Sequence, residues 1–219
     1  MSAKTIAVIS GGLSQPSSTR MLADRLAAAT VKAFSPDDDA PITIHHIEVR
    51  DHAHAVVDAN LTGFASAPLQ EALDQVRNAD AIIAVAPIFS ASYSGLFKSF
   101  IDILDPDSLT ERPVLLGATG GTARHSLALE HAMRPLWSYL RADVVPTAVF
   151  AATDDWAGAD QDLTARIDRA GAQLAARLGA APVNTPAAKP VSGSSSADLN
   201  FDFARDFSSV LAEVTAQRQ

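Results

Sequence analysis

Residues 5–20 read TIAVISGGLSQPSSTR, and this stretch decides the fold of the chain. The apolar run Thr5–Ile9 predicts a buried parallel strand. Arg20–Ala29 predicts a helix, because good helix formers there carry apolar residues at helical spacing. The loop between them is rich in glycine, serine and threonine. A strand, such a loop and a helix N-terminus together can bind a phosphate, because free backbone N–H groups and the helix dipole point at the anion.

The loop differs from the common nucleotide-binding signatures. No lysine stands between Lys4 and Lys32, which excludes a P-loop, and Gly11 and Gly12 are too few glycines for the dinucleotide fingerprint. Hydroxyl groups suit a terminal phosphate, which offers three oxygens to donors. The candidate phosphate ligands are the strand end and the loop, namely Ser10, Gly12, Ser14, Ser17, Ser18 and Thr19. The alternative is an ordinary polar loop in which Ser17 or Ser18 only caps the helix.

Composition limits the class of protein. The chain has 219 residues, of which 47% are hydrophobic, enough for one α/β domain with a full core. The net charge is −8 and the 17 basic residues form no run, which argues against a nucleic-acid partner. Zero cysteines exclude disulfides, cysteine–zinc sites and thiol catalysis. We find neither a membrane-length apolar stretch nor a signal pattern, and therefore expect a cytoplasmic protein.

Strands and helices alternate along the chain. The sequence predicts five strands, at 5–9, 42–49, 80–87, 113–119 and 144–150, and helices at 20–29, 68–76, 94–104, 124–140 and 160–178. Five strand–helix repeats predict a doubly wound parallel sheet with helices on both faces. In such sheets ligands bind beyond the carboxyl ends of the strands.

The composition changes near Gly179. We assign residues 1–180 to one domain, 181–198 to a flexible linker rich in Pro, Ala and Ser, and 199–219 to an amphipathic C-terminal helix or tail. Phe203, Phe207, Val210 and Leu211 would share one face of that helix. Such a face is expected to pack on its own domain, on a second subunit or on a partner.

Two further loops leave strand ends at the same edge of the predicted sheet. Pro87, Ile88, Phe89 and Ser90 follow the third strand and offer main-chain donors beside an apolar wall. Thr119, Gly120 and Gly121 follow the fourth strand, and the glycines allow a flat ring to approach closely. The three loops together predict a cleft for a mononucleotide with a large aromatic head. Taken singly, the glycine pair is also compatible with a simple turn.

The stretch SYSGLFK (92–98) and the block ATGG (118–121) with His125, then Arg134-Pro135-Leu136, resemble a known family. They are similar to the NAD(P)H-dependent FMN reductases of flavodoxin-like fold. The nearest branch supplies reduced FMN to luciferase-like or alkanesulfonate-type monooxygenases. The resemblance covers about residues 4–178. It implies a five-stranded sheet of order 2-1-3-4-5, FMN and NAD(P)H as small-molecule partners, a monooxygenase partner, and a homodimer or homotetramer.

The resemblance also implies roles for the candidate residues. Ser14, Ser17, Ser18 and Thr19 would hold the FMN phosphate, residues 87–90 would line the ribityl chain and isoalloxazine, and residues 119–121 would approach the pyrimidine end. His125 is either a flavin-edge contact or a helix-start histidine. The family often carries arginine where Ser14 stands, so we expect FMN to bind weakly and to exchange. Hydride transfer needs no protein acid or base, so no catalytic side chain is assigned. We assign no metal ligands, and we expect His52 and His54 to lie in a solvated loop.

His131 is a separate prediction. The resemblance places a π-bulge at this position of the helix, at a subunit contact, whereas Pro135 alone could also kink the helix. Several functions remain open beside the reductase: a flavodoxin-like electron carrier, an FMN-binding module, and an NAD(P)H quinone or azo reductase. Nothing in the sequence selects NADH over NADPH.

Overall fold

A computed structural model describes residues 3–34, 42–156 and 161–179. The strands are β1 (Lys4–Ser10), β2 (Ile42–Glu48), β3 (Ala81–Phe89), β4 (Ser92–Tyr93), β5 (Pro113–Gly120), β6 (Asp143–Val144) and β7 (Val149–Ala152). The α-helices are α1 (Ser18–Phe34), α2 (Ala53–Thr62), α3 (Ala67–Asn78), α4 (Gly95–Asp102), α5 (Arg134–Tyr139) and α6 (Gln161–Arg177). Short 3₁₀ turns follow β2, α4, β5 and β7, and a π-helical turn spans Leu129–Met133.

The sheet has the predicted flavodoxin-like order. Strands run β2-β1-β3-β5-β6 in parallel, β7 pairs with β5, and β4 forms an antiparallel hairpin with β3. The predicted count of five strands was wrong, because the sheet has seven. The fifth predicted strand, 144–150, is divided into β6 and β7. The break contains Pro146, which has no N–H for the ladder.

The two faces of the sheet are covered by different helices. On β1 the side chains of Ile6 and Val8 join one core cluster with α1 and α6, and those of Ala7 and Ile9 join the other with α2, α3 and α4. This alternation follows from the period of two in a strand. A β-carbon on Gly171 of α6 would lie 2.8 Å from the Ala29 carbonyl carbon, so α1 and α6 pack with their backbones nearly touching.

Two predicted elements differ from the structure. His52 and His54, expected in a solvated loop, lie at the end of a 3₁₀ turn and in α2. The helix expected over 124–140 is a 3₁₀ turn (Ala123–His125), the π-helical turn and then α5.

The π-bulge predicted at His131 is confirmed. The Arg134 N–H donates to the Leu129 carbonyl, which is an i→i−5 bond. Pro135 has no N–H to donate to the His131 carbonyl, so a regular α-helical ladder cannot continue through this point. The expected subunit contact at His131 stays a prediction.

The remaining expectations concern the C-terminal part. The linker 181–198, the tail 199–219 and Phe203, Phe207, Val210 and Leu211 lie outside the described residues. Within the residues that are described, no helix combines the length and the apolar character needed to cross a bilayer.

Candidate functional site

The first loop folds back tightly on itself after β1. A β-carbon on Gly12 would lie 2.2 Å from the Ser17 Oγ and 3.0 Å from the Thr19 Cβ, so no side chain fits at Gly12. Gly11 donates its N–H to the Val85 carbonyl at 2.8 Å, which attaches the loop to β3. The loop is therefore a defined cradle at the N-terminus of α1.

Ser17 is the N-cap of α1, as the capping alternative expected. Its Oγ accepts the Arg20 N–H at 3.2 Å, and its carbonyl accepts the Met21 N–H at 3.0 Å. A hydroxyl that accepts a bond still has its own hydrogen to donate, so the cap does not exclude a bond to an anion. Ser14 and Ser18 are exposed beside it. The first turn leaves the Ser18 and Thr19 N–H groups without intrahelical acceptors.

Thr19 and Thr119 form a buried pair between the first and third loops. Their Oγ1 atoms lie 2.8 Å apart, and the two residues are 2% and 3% exposed. Sequence analysis expected each side chain to contact a ligand separately. The structure instead brings the two together, so this pair fixes the start of α1 against the end of β5.

The second loop is a strained hairpin turn. β3 extends to Phe89, two residues beyond its predicted end, and Pro87 and Ile88 are buried in it. Ser90 (φ 35°) and Ala91 (φ 69°) both adopt left-handed conformations, the pattern of a two-residue hairpin turn. Phe89 is 47% exposed and adds apolar surface at this edge.

The third loop is shorter than predicted. Gly120 belongs to β5 and pairs with Ala152, and a β-carbon there would lie 2.9 Å from the Phe150 Cζ. A β-carbon on Gly121 would have open space around it. His125 is exposed and ends the 3₁₀ turn.

A charged cluster beside the first loop was missed by sequence analysis. Arg20 bonds Asp24 and Glu48, both at 2.7 Å, and Arg50 donates to the Ser14 carbonyl at 2.6 Å. Burial, reinforced by the positive charge of Arg20, lowers the pKa of His46. The strand register indicates this cluster, because it places Glu48 at the end of β2 directly beside Ser10 at the end of β1.

Comparison with known proteins decides the family. Residues 5–157 match the family model described as NADPH-dependent FMN reductase. The chain belongs to this family. It is an α/β oxidoreductase of flavodoxin-like fold that uses FMN and NAD(P)H, as the sequence resemblance predicted.

Named relatives agree with this assignment. The chain is 36% identical to an FMN reductase (NADPH) of Pseudomonas aeruginosa over 79% of its own length and 91% of the relative. It is also 36% identical to the NADH-dependent FMN reductase SfnF of Pseudomonas fluorescens, over 85% of this chain and 95% of the relative. A solved oxidoreductase of Corynebacterium diphtheriae is 43% identical, with a TM-score of 0.78, and the match covers 82% of this chain and 98% of that one.

The residues at this edge fit FMN. Four buried side-chain polar atoms lack a hydrogen-bond partner in the described part of the chain, and three of them belong to Ser10, Glu48 and Arg50 at the ends of β1 and β2. Buried groups of this kind are normally paired. A hydroxyl and a guanidinium N–H can both donate to phosphate and ribityl oxygens, so the reductase carries free donors where the cradle lies.

Proposed function

We propose that this FMN reductase oxidises NAD(P)H and treats FMN as an exchanging substrate, releasing reduced FMN to a flavin-dependent monooxygenase. The observation that carries this proposal is the cradle formed by residues 11–19, which offers hydroxyls and helix N–H groups but contains no lysine or arginine. Such a site binds a phosphate by neutral donors, with less charge assistance than a loop that carries its own cation.

Each of the three loops is proposed to contact a different part of FMN. Ser10, Gly12, Ser14, Ser17 and Ser18 hold the phosphate end, and Thr19 contributes its main-chain N–H while its hydroxyl is paired with Thr119. Pro87, Ile88, Phe89 and Ser90 line the ribityl chain and the isoalloxazine. Gly120 and Gly121 admit the pyrimidine end, with His125 at the flavin edge. All of these residues follow or end strands at one edge of the sheet.

The protein's contribution to the reaction is orientation. FMN, when bound, accepts a hydride from the nicotinamide on its ring system. The buried Pro87–Ile88 segment and the turn at Ser90 fix one side of the cleft, and the Thr19–Thr119 pair fixes the opposite loops relative to each other. Holding two reactants in register is itself a large part of such a rate enhancement.

Steady-state oxidation of NADH and of NADPH, with and without added FMN, tests the proposal. We expect turnover to depend on added FMN, and the two rates to give the nicotinamide preference. Purified protein that stays yellow through dialysis, and turns over without added FMN, would indicate a tightly held prosthetic group. Bound FMN with no nicotinamide turnover would support an electron carrier instead.

Delivery of reduced FMN needs its own test. The reductase is mixed with an alkanesulfonate-type monooxygenase, and substrate oxidation is measured in the presence of a reduced-flavin trap. We expect coupled turnover that falls as the trap concentration rises, because the flavin leaves the reductase before it is used. Coupled turnover that needs no flavin release would contradict the exchanging-substrate model.

We also propose that the reductase assembles as a homodimer or homotetramer, with the π-helical turn at a subunit contact. Leu127 and Tyr139 lie on either side of this turn and are 63% and 82% exposed, which leaves apolar surface there for a second subunit to cover. Sedimentation velocity of Leu127→Ser and Tyr139→Ser variants should show a smaller assembly than the parent protein. Phe64→Ser, an equally exposed change on the loop after α2, serves as the control.

A further inference from the structure

The positive charge beside the first loop comes from residues outside the loop. Residues 5–19 contain no lysine or arginine, although a flavin phosphate carries a charge between −1 and −2 at neutral pH. Two guanidinium groups lie beside the loop, those of Arg20 and Arg50. They differ in how much of their hydrogen-bonding capacity is already used.

Arg20 is engaged by two carboxylates. Its Nε lies 2.7 Å from Asp24 and its Nη1 lies 2.7 Å from Glu48. These ion pairs raise the pKa of Arg20 against the opposing effect of burial, so the group is fixed as a cation with its charge balanced locally. Arg20 therefore has little to offer a further anion.

Arg50 has free capacity. Its Nη1 donates to the Ser14 carbonyl at 2.6 Å, but Glu48 is 3.9 Å from its Nη2 and Asp51 is 3.5 Å from its Nε. The Nε is buried without a hydrogen-bond partner among the described residues, and the Arg50 side chain is only 19% exposed. Asp51 is 63% exposed, so water screens its charge.

Glu48 holds the two arginines together. Its side chain is 11% exposed, one oxygen bonds Arg20, and the other is buried without a hydrogen bond. Arg20 is therefore paired at 2.7 Å with both Asp24 and Glu48, whereas the carboxylates paired with Arg50 lie 3.5 and 3.9 Å away. The less balanced of the two charges is that of Arg50, which contacts the Ser14 carbonyl.

We infer that Arg50 is the positioning residue that makes this site select a phosphorylated flavin: through the Ser14 carbonyl it holds the cradle, and its free charge favours the phosphate. The inference rests on the proposed function, because it concerns the same cradle. It assigns phosphate selectivity to a residue outside the loop, on the turn that follows β2.

Flavin binding measured with and without the phosphate tests this inference. Dissociation constants of FMN and of riboflavin are measured by quenching of flavin fluorescence, for the parent protein and for Arg50→Gln and Arg50→Lys. For Arg50→Gln we expect FMN affinity to fall about tenfold while riboflavin affinity changes less than about twofold. Arg50→Lys should recover part of the FMN affinity, since it keeps the charge but not the planar donor fork.

Arg77→Gln is the matched control, because Arg77 pairs with Asp74 on the surface and lies away from the cradle. It should leave both dissociation constants unchanged. The salt dependence of FMN affinity in the parent protein gives a second readout if Arg50→Gln does not fold. We expect FMN affinity to fall with salt more steeply than riboflavin affinity.

Four outcomes would overturn the inference. Equal losses for FMN and riboflavin would make Arg50 only a structural support of the loop. Unchanged affinities for both flavins in Arg50→Gln, or equal salt slopes for the two flavins, would remove Arg50 from phosphate selection while leaving the reductase function intact. A parent protein that binds neither flavin would instead contradict the proposed function, and the inference with it.

Discussion

Hydrogen bonding of polar groups differs between the two edges of the sheet that are formed by the amino ends and by the carboxyl ends of its parallel strands. At the amino edge, the Asp80 carboxylate accepts bonds from the Thr5 N–H at 2.8 Å, the Thr5 hydroxyl at 3.0 Å and the Lys4 ammonium at 3.2 Å. Arg112 donates there to the carbonyls of Ala79, Arg77 and Ser108. At the carboxyl edge, one buried polar atom each of Ser10, Glu48 and Arg50 has no hydrogen-bond partner among the described residues. The paired edge contributes stability, and the unpaired edge is available to a ligand.

Gly12→Ala should have the largest effect and should act on binding. The new methyl group would lie 2.2 Å from the Ser17 Oγ and 3.0 Å from the Thr19 Cβ, so the Ser17 hydroxyl must leave its capping position and the start of α1 must shift. A displacement of this kind costs on the order of 100-fold in a positioned interaction, and we expect about that loss of FMN affinity. Fluorescence titration measures it.

Gly63→Ala is the control for that substitution, because Gly63 lies on the loop after α2, away from the cradle, and open space surrounds a β-carbon there. It should change FMN affinity far less. If Gly12→Ala bound FMN as well as the parent protein does, the cradle would not be the phosphate site.

Asp80→Asn should lower stability and leave FMN affinity unchanged. Hydrogen bonds to a charged group contribute about 1.5–3 kcal/mol, and the amide keeps only part of them. We expect urea denaturation at pH 7 to show a loss of about 2 kcal/mol. A loss of FMN affinity as large as that in Gly12→Ala would mean that the two edges are not functionally separate.

The pH dependence of the free energy of unfolding gives a second test of Asp80. Burial opposes ionisation of Asp80, but the bonds from Thr5 and Lys4 outweigh it and lower the pKa of the carboxyl group. A lowered pKa in the folded state adds stability above the unfolded-state pKa, and that stability is lost as the pH falls through the folded-state pKa. The stability difference between the parent and Asp80→Asn should therefore shrink below about pH 4.

Thr119→Val should have a smaller effect, on both stability and FMN affinity. Valine has nearly the shape of threonine but cannot pair with the Thr19 hydroxyl, which is then left buried without this partner. Such a loss costs about 1–2 kcal/mol. We expect that loss in urea denaturation, and a fall of a few-fold in FMN affinity because the first and third loops are no longer joined.

The double variant Thr19→Val/Thr119→Val separates these effects. It removes both hydroxyls, so it should be more stable than Thr119→Val alone while remaining weak in FMN binding. Equal stability of the single and double variants would show that the Thr19 hydroxyl costs nothing when it is left without its partner.

Much of the fold follows from the pattern of the chain. The apolar run at 5–9 and the four later strand patterns predicted a parallel sheet, because each was followed by a helix or a loop, and the family resemblance implied its order. The division of the fifth predicted strand at Pro146 could have been predicted, because proline has no N–H for the ladder. The short strand Ser92–Tyr93 could not, because two residues show no periodicity. The helix α2 was missed because the stretch around His52 and His54 was interpreted as a solvated loop.

The site was predictable where it depends on local sequence and not where it depends on distant pairing. The glycine and hydroxyl loop, the turn at Ser90 and the glycines of the third loop were named from their own stretches. The Thr19–Thr119 pair joins residues 100 positions apart, and the Arg50–Ser14 bond joins residues 36 apart. Neither pairing can be predicted from the local sequence, although both can be inferred once the strand register is known.

Hydrogen exchange with and without saturating FMN tests the difference between the two edges most directly. We predict slower amide exchange in residues 10–20, 87–95 and 119–125, and unchanged exchange in residues 3–6, 78–82 and 110–114. Protection centred on the amino edge, or FMN-dependent turnover without protection of residues 10–20, would contradict the placement of the flavin at the carboxyl edge.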